Sequence, residues 1–118
     1  MPGNFTLKDH AGLNGPMGSL FTELRSRILA VGPNVSMSVL KGYIAFVHTY
    51  HFVDVLPRKR SLRVLLNVPF QMLNDPESRC EDIGGTFGPF EAEFSLTESA
   101  DLGYCMNLVR QAYERGAT

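Results

Sequence analysis

Phe90-Glu91-Ala92-Glu93-Phe94-Ser95-Leu96 alternates apolar and polar side chains without a break, the pattern of a strand with one buried and one wet face. Shortly after it the period changes. Leu102, Cys105, Met106, Leu108, Val109, Ala112 and Tyr113 recur at intervals of three and four, which places them on one stripe of a helix. Thr97 and Ser99 are the side chains able to accept a first-turn amide as N-cap, and Gly116 is the expected stop. A half-wet strand followed directly by an amphipathic helix is the signature of a helix laid on an antiparallel sheet. It is not that of a βαβ unit, whose parallel strands are apolar on both faces.

Working back from Phe90, three β-rich runs stand out: 43–48, 52–56 and 62–68. The links between them, Thr49-Tyr50-His51 and Pro57-Arg58-Lys59-Arg60-Ser61, are too short for parallel crossovers, so these strands are expected to be antiparallel neighbours. Leu62, Val64, Leu66 and Val68 share a face, and Leu65 on the other face marks a central strand covered at least in part on both sides. Residues 69–89 hold Asn74-Asp75-Pro76 and Gly84-Gly85-Thr86-Phe87-Gly88-Pro89 and read mostly as loop, with an irregular strand near Asp82-Ile83. Nearer the start, Met17, Leu20, Phe21, Leu24, Ile28 and Val31 form a second helical stripe that begins at Pro16 and stops at Gly32-Pro33. The expectation is an N-terminal arm over residues 1–15 and one α+β domain over 16–118. That domain is two-layered, with a central antiparallel sheet of about four strands and a helix at each end.

Composition limits what such a domain can do. At 118 residues with 44% hydrophobic and 19% charged side chains, the chain can bury one core without disulfides or metal. Its net charge of −1 creates no global field towards nucleic acid or anionic membrane, so such a role would need a local patch. No apolar run approaches the ~18 residues of a membrane span, and no secretory signal is visible, so no membrane association and a cytoplasmic location are expected. Cys80 and Cys105 are expected as unpaired thiols.

Several segments in order also resemble a known group. Tyr43-Ile44-Ala45-Phe46, His51-Phe52-Val53-Asp54-Val55, Leu62-Arg63-Val64-Leu65-Leu66-Asn67, Asn74-Asp75-Pro76 and Leu108-Val109-Arg110-Gln111-Ala112-Tyr113-Glu114 together resemble an uncharacterised bacterial domain family often labelled "predicted transport protein". Asp9-His10 and Asp101-Leu102 fit the same pattern. The resemblance implies a domain found alone or appended to restriction-nuclease-like proteins, hence a companion of DNA-processing or defence proteins with no assigned activity. The family tends to carry a Gly-His-Trp-Gly-like loop, where this chain has Gly85-Thr86-Phe87-Gly88.

The residues themselves offer few complete chemical motifs. Asp9 with His10 has the form of a base and its orienting carboxylate, and His48, Tyr50 and His51 add polar groups; these five are the candidate ligand set. His48 and His51, three apart in a hairpin, should point in different directions, and neither cysteines nor carboxylates supply metal-site spacing, so no metal or cofactor is expected. Glu91 and Glu93 share a strand face without the lysine of a nuclease core motif. The glycine-rich run lacks a P-loop ending and precedes a strand, which reads as turn and bulge. Lys41, Arg58, Lys59, Arg60 and Arg63 form the densest positive region, the candidate for weak non-specific contact with nucleic-acid phosphates. The leading expectation is a non-catalytic binding or accessory module. The alternatives are a small-molecule-binding domain and a small enzyme using the His/Asp/Tyr set. A protein partner or a homodimer is expected from the sheet edge that so short a chain leaves uncovered.

Overall fold

The computed structural model describes residues 6–117, so the part of the expected arm before Thr6 lies outside the described residues. From Thr6 the arm makes two short 3-10 turns, Leu7–Asp9 and Ala11–Asn14. Helix α1 (Pro16–Leu29) follows, with Pro16 in its first turn, where the missing N–H has no intrahelical role. Strands β1 (Ser36–Val39), β2 (Ile44–Val47), β3 (His51–Pro57), β4 (Leu62–Leu66), β5 (Cys80–Phe87) and β6 (Phe90–Leu96) come next, and helix α2 (Leu102–Ala117) closes the chain.

The sheet is antiparallel throughout, in the order β1-β2-β3-β4-β6-β5. It has six strands, not about four. The difference lies at its edges: β1, not among the expected strands, is Ser-Met-Ser-Val with every second residue exposed, and β5, expected only as an irregular strand near Asp82-Ile83, is a glycine-containing, mostly exposed run that pairs irregularly with β6 between Asp82 and Phe87. An edge strand needs only one partner and little apolar surface, so its hydrophobic signal is weak. The end helix also starts later than expected. Ser99–Asp101 forms a 3-10 turn preceded by Glu98, with no side-chain cap from Thr97 or Ser99, and α2 runs past Gly116 to Ala117.

Both helices lie on one face of the sheet. Leu20, Phe21, Leu24 and Ile28 of α1 and Leu102, Cys105, Met106, Val109 and Ala112 of α2 join Ile44, Phe46, Phe52, Val53, Val55, Val64, Phe94 and Leu96 in a single buried cluster. Each Val, Leu, Ile, Phe or Met side chain among them contributes roughly 1.5–3 kcal/mol on leaving water. On the opposite face a smaller cluster of Leu56, Leu65 and Phe90 is flanked by the partly buried Tyr43, Ile83 and Phe87. Leu65, in the central strand β4, is 1% exposed, so this second face is covered around its centre.

Candidate functional site

The five candidate ligand residues are not gathered in one place. Asp9 accepts a hydrogen bond from the Thr6 amide at 2.7 Å and caps the first 3-10 turn. His10 is buried and donates Nε2–H to the Leu40 carbonyl at 2.8 Å, which pins the arm to the β1–β2 turn. Gly12 completes that anchor: a Cβ there would lie 2.9 Å from the Arg58 carbonyl oxygen, so only glycine lets the arm lie against the β3–β4 turn.

His48 and Tyr50 belong to the helix side. The His48 ring lies 4.3 Å from that of Tyr113 in α2 and 5.2 Å from Phe52, while its Nδ1 and the Thr49 hydroxyl share a hydrogen bond at 3.2 Å. Its Nε2 is buried without a hydrogen-bond partner among the described residues and has aromatic rings as its neighbours. Tyr50 donates its hydroxyl to the Ala112 carbonyl, strapping the β2–β3 turn to α2.

His51 goes the other way, and a β-bulge is the reason. Val47 pairs with His51 but Phe46 pairs with Val53, so Phe52 is an extra residue in β3. In a regular strand residues 51 and 54 would point to opposite faces. With the extra residue, Phe52 and Val53 both enter the helix-side core, and His51 Nε2–H donates to the carboxylate of Asp54, which is 7% exposed. Asn67 fixes the bulge, with its side-chain amide donating to the His51 carbonyl at 2.8 Å and its backbone N–H to the Phe52 carbonyl at 3.0 Å. The His51 ring is stacked with Tyr43 at 6.4 Å and meets Phe90 edge-on at 5.0 Å. In the neutral ring the bond to the carboxylate leaves Nδ1 as an acceptor, with no hydrogen-bond partner among the described residues, an arrangement able to hold a donor group of a small ligand. The sequence carried no sign of this pair, because only the bulge brings it together.

On the same face Arg63 donates Nε–H and Nη2–H to the two carboxylate oxygens of Glu93 at 2.8 and 2.6 Å, across the β4–β6 ladder. Hydrogen bonding to Glu93 holds the guanidinium pKa above its ordinary value, against the lowering effect of burial. Its plane lies over Phe87, 5.5 Å from the ring centre. Glu91 accepts from the Phe70 amide at 3.2 Å, so both acids of β6 have partners. Among the described residues no group of three or more His, Cys, Asp or Glu side chains is placed to hold a metal ion.

The remaining basic residues do come together. Register pairs Ile44 with Val55 and Pro57 with Leu62, which puts the β1–β2 turn carrying Lys41 and the β3–β4 turn carrying Arg58, Lys59 and Arg60 at one end of the sheet. All four side chains are exposed. Arg58 bonds only a carbonyl, that of Pro57 at 3.1 Å, and none of the four has an ion-pair partner among the described residues. Where the arm meets this end, Ala11, Gly12, Pro57, Arg58 and Lys59 line an open cleft of about 320 Å³.

No solved structure matches the chain. An uncharacterized protein of Haemophilus influenzae is 26% identical over 95 residues, which cover 79% of this chain and 32% of that protein. The chain thus spans about a third of the length of that relative. A family model described as a domain of unknown function, DUF5655, matches residues 11–116, nearly the whole chain, and the chain belongs to that family.

Proposed function

We propose that this domain is a non-catalytic accessory module that meets nucleic-acid phosphates through the basic end of its sheet. One observation carries the reading: Lys41, Arg58, Lys59 and Arg60 are exposed, lack ion-pair partners among the described residues, and share one end of the sheet although they come from two separate turns. Such point charges contact backbone phosphates without reading bases. Arg63 stands apart from this set because Glu93 already neutralises it. The separation of His10, His48 and His51 into three environments weighs against a shared catalytic centre. The resemblance to domains appended to nuclease-like proteins agrees with an accessory role.

Anisotropy titration of a labelled duplex over a range of salt concentrations tests the reading. Four phosphate contacts give a log K against log salt slope of about −3.6. Changing Arg58, Lys59 and Arg60 together to Ala should bring it to about −0.9 with the circular dichroism unchanged. Arg63→Ala should leave the slope where it was. Absence of binding to both single- and double-stranded DNA at low salt would remove the proposal.

A further inference from the structure

The sheet has two free edges, and they are not alike. Strand β5 is protected in the ways that edges usually are: its pairing is interrupted between Asp82 and Phe87, Gly85 sits at φ +88°, and Glu81 and Asp82 are exposed. A second β5 laid against it would set carboxylates against carboxylates. Strand β1 has none of these devices. It pairs with β2 in unbroken register, Ser36 with Val47 through Val39 with Ile44, and contains no charge, proline or glycine.

The residues of this edge read Val35-Ser36-Met37-Ser38-Val39, a palindrome centred on Met37. The Leu40 amide donates to the Tyr43 carbonyl at 2.9 Å, which makes that a hydrogen-bonded pair. By the alternation of antiparallel ladders Ser38 and Ser36 also direct their backbone groups towards β2, and Val35, Met37 and Val39 present theirs outward. The side chains of Val35, Met37 and Val39 are partly buried against the helix-side core, and those of Ser36 and Ser38 are exposed.

We propose that β1 pairs antiparallel with β1 of a second copy of this chain about a two-fold axis at Met37, giving one continuous sheet across the dimer. Such an isologous contact requires a strand complementary to itself, and the palindrome supplies it at every position: Met37 opposite Met37, Val35 opposite Val39, Ser36 opposite Ser38. Directly opposed residues then lie on the same face, as antiparallel pairing demands. The outward groups of Val35, Met37 and Val39 exchange about six backbone hydrogen bonds. Asn34, at φ +63°, leaves the extended conformation and bounds the pairing on one side, and the Lys41 turn bounds it on the other. This interface does not depend on the phosphate-binding reading.

Sedimentation velocity of the full chain, from low micromolar to several hundred micromolar, tests the pairing together with two double variants at the exposed serines. The wild type should show reversible dimer. Ser36→Lys with Ser38→Lys opposes lysine to lysine twice and should weaken the dimer roughly tenfold or more. Ser36→Lys with Ser38→Glu alters the same two positions but opposes unlike charges, and it should keep the dimer. A wild type that stays monomeric throughout, or a dimer indifferent to the lysine pair, would overturn the proposal. So would equal loss in both double variants, because charge pairing across β1 would then not be the cause.

Discussion

Replacing Phe94 by Ala probes the place where all layers of the molecule meet. Phe94 is 1% exposed, pairs with Val64 on one side and Cys80 on the other, and packs in the helix-side core. Truncating a buried phenylalanine to alanine costs about 3–5 kcal/mol, because transfer energy is lost and a cavity is left. Here the ring also stacks on Tyr104 at a centroid separation of 5.7 Å, which adds about 0.5–1.5 kcal/mol. The Arg79 guanidinium lies over the ring, 5.1 Å from its centroid, adding about 0.5 kcal/mol at this partly exposed site. The expected loss is therefore in the upper half of the range, about 4–5 kcal/mol. With an urea m-value of about 1.5 kcal/mol/M, the unfolding midpoint should fall by about 3 M. Phe94→Leu, which keeps most of the volume, should cost about 1 kcal/mol and remains measurable if the alanine variant does not fold. Met72, 73% exposed, provides the control, and Met72→Ala should leave the midpoint where it is. A Phe94→Ala loss of under about 1 kcal/mol would refute the packing described for β6.

Two further outcomes follow from titratable groups near that ring. Burial, with the Asp75 carboxylate nearby, pushes the Cys80 thiol up to about 12, and burial pushes Cys105 up to about 12 as well; both should therefore resist Ellman's reagent at pH 8 in the native protein and react fully in denaturant, and rapid stoichiometric labelling of the native state would contradict their placement. At Asp75 burial favours the neutral acid, but donation from the Tyr104 hydroxyl and from the Arg79 and Cys80 amides outweighs it and holds the pKa below its ordinary 3.8. The unfolded chain thus takes up this proton first as pH falls. The stabilisation is complete above the ordinary value and disappears as pH drops through the lower folded value. Asp75→Asn should lower stability at pH 7 and flatten the acid limb of a stability-against-pH curve measured by urea unfolding; an acid limb of unchanged slope would count against this role.

What could be read from sequence tracked how much apolar surface each element buries. The alternation of Ala92, Phe94 and Leu96 matches their place in the helix-side core, and the stripes of both helices match for the same reason, but Phe90, which the same alternation assigns to that face, is buried in the small cluster on the other one. Strands β1 and β5 were hard to see because an edge needs few apolar side chains, and the glycines of β5 suggested loop where there is an irregular ladder. The engagement of Arg63 depends on cross-strand register with Glu93, a relation between residues thirty positions apart that no local pattern encodes. The His51–Asp54 pair was hidden more thoroughly, since regular alternation assigns its members to opposite faces.

The extra residue in β3 works like a shift of reading frame. Downstream of Phe52 the strand is spelled in the frame that sends Val53 and Val55 inward, and upstream of it in the other, so a single position decides which face the histidine serves. Deleting Phe52 would leave a regular strand in which the histidine stands two places before the aspartate and on the same face, so the pair would survive; straightening β3 with all its residues kept would instead turn the imidazole into the core and strip the Asp54 carboxylate of its partner. Relatives that place one residue between histidine and aspartate, with no bulge, would thus present the same chemistry on the sheet's second face, whereas relatives with two residues between them and a regular ladder would not.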